Sequence, residues 1–329
     1  DPEEDALAVT DALPEIEDLC FLEVPKVFPL KGSVVTPAMM LELSRAVQRV
    51  LIRPEVSGVV VTQPADNIEE TAYFVSISLS DVFQNQNSKP IVFTTCMNPE
   101  DPMFDGTKNL LDSIRVACHD VKGDISTVVV CMNGEIHAAS RAQLTHTNKA
   151  SSLASPGWGP VGYVDRDNVY FRCGALELDT GLNFPMLKKL TAKVPVVKAM
   201  CGDDGALLEM VLEKEPDAII VEGFGRGNLP AGMMPAIKKA VKKGIFVVIS
   251  TRASSGRVLD STVFPGSVAQ CLECGCLLAG ETTTSKARLL LMYVLSQKEA
   301  IQLKKEDPER FFAYVQECLD PVLTNRLFG

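Results

Sequence analysis

The sequence predicts an α/β protein with two domains, each built around a sheet that contains parallel strands. Apolar runs typical of strands alternate with amphipathic runs typical of helices along the 329 residues, and such alternation favours right-handed crossovers between parallel strands. The apolar runs are continuous stretches of Val and Ile, which indicates strands covered on both faces. A chain of this length is long enough for two hydrophobic cores.

Six strands and six helices make up the alternating pattern. The strands are predicted at 58–62, 90–95, 127–132, 194–200, 218–221 and 245–250. The helices are predicted at 37–51, 68–83, 107–118, 204–214, 230–243 and 285–297.

Capping residues mark several of the helix starts. Thr36 followed by Pro37 predicts the start of the first helix, because Thr accepts backbone N–H bonds and Pro fits the first helical position. Asn67 with Glu70 three positions later predicts a cap for the second helix. Thr284 is expected to lie just before the last of the six helices.

The alternation pauses near residues 180–193, after short strand-like runs at 162–178, and then restarts. We therefore predict a domain boundary there. The C-terminal stretch 298–329 has the pattern of one or two polar-faced helices, with Pro308 and Pro321 as breakers.

Composition limits the partners that we expect. The net charge of −10 and the pI of about 5.0 argue against nucleic-acid binding, which needs clustered Lys and Arg. No apolar run reaches the roughly 18 residues of a membrane span. The acidic start "DPEEDALAVTDALPEIEDLC" has the features of neither a signal peptide nor a transit peptide.

Ten cysteines at irregular spacing in a chain of this size favour free thiols in a reducing compartment. We therefore expect an intracellular protein of the cytoplasm or the mitochondrial matrix. Cys271, Cys274 and Cys276 could supply three thiolates to a metal, but no fourth ligand is evident. Small buried side chains near a helix end are the favoured interpretation, and no metal or cofactor is expected.

Two polar loops of the second half have structural explanations. The G-x-G-x-G spacing of Gly223, Gly225 and Gly227 differs from the G-x-G-x-x-G of nucleotide loops and favours a tight strand-to-helix connection with positive φ angles. Asp203 and Asp204 could bind a cation, but their position before a helix favours capping.

The turn Gln63–Asn67 is the natural place for chemistry, because it follows a predicted strand and precedes a helix. It holds no hydroxyl, thiol or histidine. His146 lies in a polar loop without a nearby Asp or Glu, which favours a solvated side chain over a catalytic one.

Four ordered motifs give the chain a resemblance to a known family. "GVVVTQPADNIEETAYFV" is similar to G-V-V-[IV]-T-H-G-T-D-T-[ML]-E-E-T-A-Y-F-L, and "KPIVFTTCMNPEDPMFDGTKNLLDSIRVA" carries a second family motif. "VEGFGRGNLPAGMMPAIKKAVKKGIFVVISTRASSGRV" and "AGETTTSKARLLLM" carry two more. The chain resembles the bacterial-type L-asparaginases, which include the asparaginase-like subunit of archaeal glutamyl-tRNA(Gln) amidotransferase, from about residue 32 to residue 297.

This resemblance implies an asparaginase-like fold in two domains, a larger N-terminal α/β domain with a mixed sheet and a smaller C-terminal domain with a parallel sheet. On it we expect an acidic extension at 1–31, domains at 32–182 and 183–297, and a helical tail at 298–329. It also implies homodimers or tetramers.

The departures from the family pattern bear on activity. The resemblance implies attack on a side-chain amide by a Thr hydroxyl, yet the position of the Thr in the H-G-T-D-T turn is Ala65, after Pro64 in place of Gly. The position of the Lys that activates it is Leu144, and Lys149 lies five residues away. The other Thr, of a T-G-G-T-I motif, is not found, although that motif could lie in a preceding segment.

Two positions keep the residues that the resemblance assigns to the substrate. Ser33 matches the Ser that holds the α-carboxylate, and Asp66 matches the Asp that holds the α-amino group. Each also has a structural explanation, Ser33 as a polar turn residue and Asp66 as the partner of a helix start. Weak binding of aspartate or asparagine is therefore one of the interactions that these residues allow.

Three functions are compatible with these residues. The leading hypothesis is a degenerate, catalytically inactive asparaginase-like protein with a structural or interaction role, as a homo-oligomer or a subunit of a complex. The second is an active amidohydrolase that uses Thr62, Thr94, Thr95 or Thr145, with His146 as base. The third is an amino-acid sensor that binds through Ser33 and Asp66 without hydrolysis.

Overall fold

A six-stranded mixed sheet organises the first of two units in the chain. The computed structural model describes residues 13–28, 34–85, 89–97, 105–119, 128–172, 183–259 and 262–320, and its contacts divide the chain into Asp1–Met186 and Leu187–Gly329. The strands of the sheet are β1 (Val59–Thr62), β2 (Ile91–Thr94), β3 (Val128–Met132), β4 (Glu135–Ala138), β7 (Gly162–Asp165) and β8 (Asn168–Phe171). They lie side by side in the order β1-β2-β3-β4-β7-β8.

Strand direction changes in the middle of this sheet. The first three strands run parallel to one another, and the pairs β3–β4, β4–β7 and β7–β8 are antiparallel. A separate two-stranded ribbon joins β5 (Gln143–Leu144) to β6 (Leu153–Ala154). The expected mixed sheet of the N-terminal domain is confirmed.

Helices cover both faces of the parallel strands, as the continuous Val and Ile runs predict. Phe93 and Val130 pack on one face against α1 (Pro37–Leu51) and α2 (Ile68–Ser78). Val129 packs on the other face with Val116 of α4 (Gly106–Cys118). Successive strand residues point to opposite faces, so each apolar residue of the run has its own helix to pack against.

The second unit is built on a four-stranded parallel sheet. Its strands are β9 (Val196–Lys198), β10 (Ala218–Gly223), β11 (Phe246–Thr251) and β12 (Leu277–Leu278), all paired in parallel in the order β12-β11-β10-β9. Its helices are α5 (Ala206–Leu212), α6 (Met234–Lys242), α7 (Val268–Glu273), α8 (Thr284–Val294), α9 (Lys298–Glu306) and α10 (Pro308–Leu319). No helix in the described parts of the chain is both long and apolar enough to cross a membrane.

The predicted helix at 68–83 is two helices. The first ends at Ser78, and α3 (Ser80–Asn85) begins after the single residue Leu79. Ser80 causes the break, since its Oγ donates to the carbonyl of Ile77 at 2.9 Å and accepts the N–H of Phe184 at 2.9 Å. A hydroxyl that bonds to nearby backbone competes with the helix.

Three of the residues predicted to cap helices accept backbone N–H groups at a helix start, and two do not act as predicted. The Thr36 hydroxyl accepts the N–H of Met39 at 3.3 Å, as predicted. Asp203 accepts the N–H of Gly205, the cap residue of α5, at 2.9 Å, and Asp204 accepts the N–H of Ala206, its first residue, at 3.0 Å. Asn67 makes no side-chain cap, and Thr283, not Thr284, holds the cap position of α8.

The two C-terminal helices belong to the second unit. Phe311, Val315 and Cys318 of α10 are fully buried. Gln316 is also fully buried, and its amide accepts the N–H of Leu278 at 2.9 Å and donates to the carbonyl of Leu278 at 3.0 Å. The side chain thus satisfies the outer edge of β12 in place of a further strand.

We expect Gln316→Ala to lower the free energy of unfolding by about 2–4 kcal/mol, because it leaves a buried N–H and C=O without partners. Gln302→Ala removes an exposed glutamine of the neighbouring helix and is expected to change it by less than about 0.5 kcal/mol. Urea unfolding of both variants measures the difference. Equal stability of the two would mean that α10 does not support the sheet.

Candidate functional site

The turn after β1 lies at the carboxyl end of two parallel strands. Thr62 pairs with Thr94 in the register of β1 and β2, and the N–H of Gln63 donates to the carbonyl of Thr94 at 3.2 Å. Pro64 is extended, with φ −58° and ψ 151°, and Ala65–Asn67 form one 3-10 turn before α2 begins. This is the position at which open α/β sheets bind ligands.

Hydrogen bonds among Gln63, Asn67 and Thr71 form a brace that holds the shape of the turn. The Nε2 of Gln63 donates to Oδ1 of Asn67 at 3.3 Å and lies 3.4 Å from Oγ1 of Thr71. The Thr71 hydroxyl donates to the carbonyl of Asn67 at 3.0 Å, and Thr71 is buried. The Thr71 hydroxyl is therefore engaged in holding the shape of the turn. The sequence interpretation missed this brace.

The two residues at the centre of the turn differ in chemistry. Ala65 is half-buried and presents a methyl group. Asp66 is exposed, and among the described residues no hydrogen bond or ion pair engages its carboxylate. Ser33, the other expected ligand contact, lies outside the described residues. The turn can thus offer a negative charge to a ligand, and neither Ala65 nor Asp66 carries a hydroxyl.

Leu144 lies close to the start of α2. Its backbone N–H donates to Oε2 of Glu69 at 2.5 Å, and Leu144 pairs with Leu153 across the ribbon of β5 and β6. Glu69 is the second residue of α2, four positions after Ala65. The structure thus brings Leu144 and the turn to the same end of one helix. The half-buried Leu side chain can accept no proton.

Among the described residues, no basic side chain is hydrogen-bonded to any of the four threonines of the second hypothesis. Thr94 is buried and donates to the carbonyl of Cys131 at 2.9 Å. Thr95 donates to the carbonyl of Cys96 at 3.3 Å, and Thr145 to that of Ser152 at 2.8 Å. Thr62 is exposed at the end of its strand. A hydroxyl nucleophile needs an adjacent base, and a carbonyl is not one.

His146 stands in the polar loop that the sequence predicts, and it is exposed. Its Nδ1 accepts the backbone N–H groups of Asn148 and Lys149, at 3.0 and 3.2 Å. The ring thus holds the loop by its own backbone. Lys149 is exposed in the same loop.

In the second unit, the glycine loop has the structural role that its spacing predicts. Gly225 and Gly227 have φ angles of +47° and +105°. A Cβ on Gly223 would lie 2.6 Å from the carbonyl oxygen of Gly227, and the N–H of Phe224 donates to the carbonyl of Asn228 at 2.8 Å. The glycines permit a tight reversal of the chain.

The cysteine cluster of the second unit is part of the core. Cys271 and Cys276 are buried, and the Cys271 sulfur lies 3.9 Å from that of Met234. Within the part of the chain that the structure describes, no group of three His, Cys, Asp or Glu side chains converges as metal ligands.

A buried histidine escaped the sequence interpretation. His137 on β4 places Nδ1 2.9 Å from Oγ of Ser155, and its Nε2 lies 3.3 Å from Oε2 of Glu135 without hydrogen-bond geometry. Ser, His and a carboxylate in this order are typical of hydrolases. His137 and Ser155 are only 1% and 4% exposed, however, so a substrate carbonyl cannot reach the hydroxyl.

Two family models account for most of the sequence. "Asparaginase, N-terminal" matches residues 1–175, and "Glutaminase/Asparaginase C-terminal domain" matches residues 193–306. The chain belongs to the asparaginase family. The resemblance found in the four motifs is confirmed.

Two relatives and a solved structure each match this asparaginase-family protein over most of its length. The L-asparaginase of Bacillus licheniformis is 30% identical over 300 residues, which cover 88% of this chain and 89% of that protein. A protein of Pyrococcus horikoshii that is named as one of the subunits of glutamyl-tRNA(Gln) amidotransferase is 25% identical, over 88% of this chain and 66% of its own. The crystal structure of a probable cytoplasmic L-asparaginase from Campylobacter jejuni superposes with a TM-score of 0.80 at 25% identity, over 94% of this chain and 92% of that one.

We expect the stability of this asparaginase-family protein to fall as the pH is lowered, in part through His137. Burial lowers the pKa of His137, and the Glu135 carboxylate opposes this shift only partly. The unfolded chain, with a His pKa of about 6.5, then binds the proton more readily than the folded state. The contribution of neutral His137 to the free energy of unfolding is therefore complete above about pH 6.5. It is lost as the pH falls through the pKa that His137 has in the folded state.

Urea midpoints at about pH 7.5 and pH 5.5 measure this loss. In His137→Gln the fall between the two pH values is expected to be smaller than in the wild type. His146→Gln, which changes an exposed histidine, is expected to keep the wild-type fall. An unchanged pH dependence in His137→Gln would contradict the assignment.

Proposed function

We propose that this asparaginase-family protein does not hydrolyse amides and serves a structural or interaction role, as a homo-oligomer or as a subunit of a complex. The observation that carries the proposal is the turn at Ala65, where the fold places a methyl group after Pro64. The surrounding scaffold is retained, because the sheet, the helix start and the ribbon around this turn are all formed.

The chemistry of amide hydrolysis by acyl transfer supports this proposal. Such a reaction needs a nucleophile and a base within hydrogen-bond reach of it. Ala65 and Leu144 supply neither, although Glu69 ties the two segments together. Loss of one member of a nucleophile–base unit typically costs a factor of about 10³ or more in rate. With both absent, residual activity at this turn is not expected.

Two observations support an interaction role. Trp158, Tyr163 and Tyr170 are each more than two-fifths exposed, and the two tyrosine rings stack at 5.0 Å. Exposed aromatic side chains are enriched in protein interfaces. The relative from P. horikoshii is named as part of an amidotransferase, so one member of the family belongs to a larger enzyme.

A reducing compartment inside the cell fits this proposal. Nine described cysteines are free, and the structural neighbour from C. jejuni is called cytoplasmic. Free thiols persist where thioredoxin and glutathione keep them reduced.

Ammonia release from L-asparagine and L-glutamine tests the proposal. We expect the purified chain to give no release above the blank, and the B. licheniformis enzyme to serve as the positive control. A rate within a factor of about 10³ of that enzyme would contradict the proposal. Loss of that activity in Thr62→Ala, Thr95→Ala or Thr145→Ala would then support the second hypothesis.

The variant Ala65→Thr/Leu144→Lys identifies the cause of inactivity. A gain of ammonia release over the wild type would assign the loss to these two positions. Thermal melting of the variant checks that it folds, since Lys in a half-buried position carries a desolvation cost.

Binding without hydrolysis is a second candidate, which the exposed carboxylate of Asp66 favours. An α-ammonium group is a natural partner for such a carboxylate. We expect millimolar L-aspartate to raise the melting temperature if this site is used. Asp66→Asn should abolish the shift, and Asp18→Asn, an exposed aspartate elsewhere in the unit, should keep it. An equal shift in both variants would contradict the assignment.

A further inference from the structure

Two cysteines that are far apart in the sequence meet in a small apolar cluster of the first unit. The cluster contains Leu13, Ile16 and Ile114, and both Cys20 and Cys118 pack against it. Cys20 closes a turn, because its N–H donates to the carbonyl of Ile16 at 3.1 Å. Cys118 is the last residue of α4. The thiols therefore join the segment before α1 to the end of a helix that covers the sheet.

The two thiols lie close to each other and remain open to small solutes. Both side chains pack against the same three apolar residues, and each shifts the pKa of the other. Both residues are half-buried. A disulfide requires two cysteines that are close in space, and the shared cluster brings these two together.

The pair also has an asymmetry that favours reaction. A hydrogen bond from Cys118 lowers the pKa of Cys20 to about 7, against the opposing effect of partial burial. The same hydrogen bond, together with burial, raises the pKa of Cys118. The thiolate is the nucleophile in cysteine chemistry, so at neutral pH a substantial fraction of Cys20 can attack an oxidant while Cys118 keeps its proton.

We propose that Cys20 and Cys118 form a reversible disulfide site that hydrogen peroxide oxidises. The Cys20 thiolate attacks one peroxide oxygen, the O–O bond breaks, and the hydroxide that leaves takes up a proton to become water. Cys20 is then a sulfenic acid. The Cys118 sulfur attacks the Cys20 sulfur, the S–O bond breaks, and a second water leaves as the S–S bond forms. Two thiols lose two electrons, and one peroxide becomes two waters.

The disulfide would tie the segment at residues 13–28 to α4. That segment contains no strand in the described residues. It packs on the rest of the unit through the apolar cluster, and Glu23 forms an ion pair with Arg53 at 3.0 Å. A cross-link between distant positions restricts the unfolded chain more than one between near positions. Oxidation would therefore stabilise the first unit, independently of any activity at the turn.

The second unit provides a matched control within the same chain. Cys271 and Cys276 also shift the pKa of one another, but they are 0% and 2% exposed. Peroxide cannot reach their sulfur atoms without opening the core. Burial of the sulfur atoms thus distinguishes this pair from Cys20 and Cys118.

Peptide mapping after oxidation tests the proposal. The full chain is reduced, treated with hydrogen peroxide at neutral pH, alkylated and digested without reductant. We expect a peptide that links Cys20 to Cys118 as the main cross-linked product, and we expect dithiothreitol to remove it. The oxidised protein should melt at a higher temperature than the reduced one. Cys276→Ser should keep both results.

Single variants assign the roles of the two sulfur atoms. Cys118→Ser is expected to accumulate a sulfenic acid at Cys20, trapped with dimedone, and to show no rise in melting temperature. Cys20→Ser is expected to react more slowly with peroxide at Cys118 than the wild type does at Cys20. A main cross-link that involves other cysteines, no cross-link at all, or a melting shift retained in Cys118→Ser would overturn the proposal.

Discussion

The parallel pairing of β1 with β2 is the constraint on which the candidate site depends. It fixes Thr62 opposite Thr94 and brings the N–H of Gln63 to the carbonyl of Thr94, so the chain leaves the sheet at one defined point. Buried helices on both faces hold this pairing in place. That exit point determines the positions of the turn and of the start of α2. Glu69 then links the start of α2 to the ribbon that carries Leu144.

This dependence explains how the proposed loss of chemistry leaves the scaffold intact. The core that holds β1 and β2 consists of apolar side chains, which can take no part in acid–base or nucleophilic chemistry. Neither Ala65 nor Leu144 is one of the buried residues of that core. Replacement of a hydroxyl by a methyl group at such a place removes a reactive atom without opening a cavity. Fold and function are therefore separable at this turn.

Local patterns predict the parts of the structure that depend on neighbours in sequence. The Val and Ile runs mark the strands, and Thr36 marks a helix start that the structure confirms. The family motifs predict the mixed and parallel sheets. Contacts between distant segments were missed, because no local signal carries them: Ser80 accepts the N–H of Phe184, and Gln316 satisfies the edge of β12. At the candidate site, the sequence identifies Ala65 and Leu144, but not the Gln63 brace that shapes the turn.

The central proposal is that the turn at Ala65 holds no group that an amide substrate acylates. Acylation releases the amide nitrogen before any hydrolysis, so one slow event per molecule is enough to detect it. L-asparagine labelled with ¹⁵N at the side-chain amide, mixed with a stoichiometric amount of protein and followed by NMR, measures that event directly. The account predicts that the label stays in the amide. Release of one equivalent of labelled ammonium would contradict it.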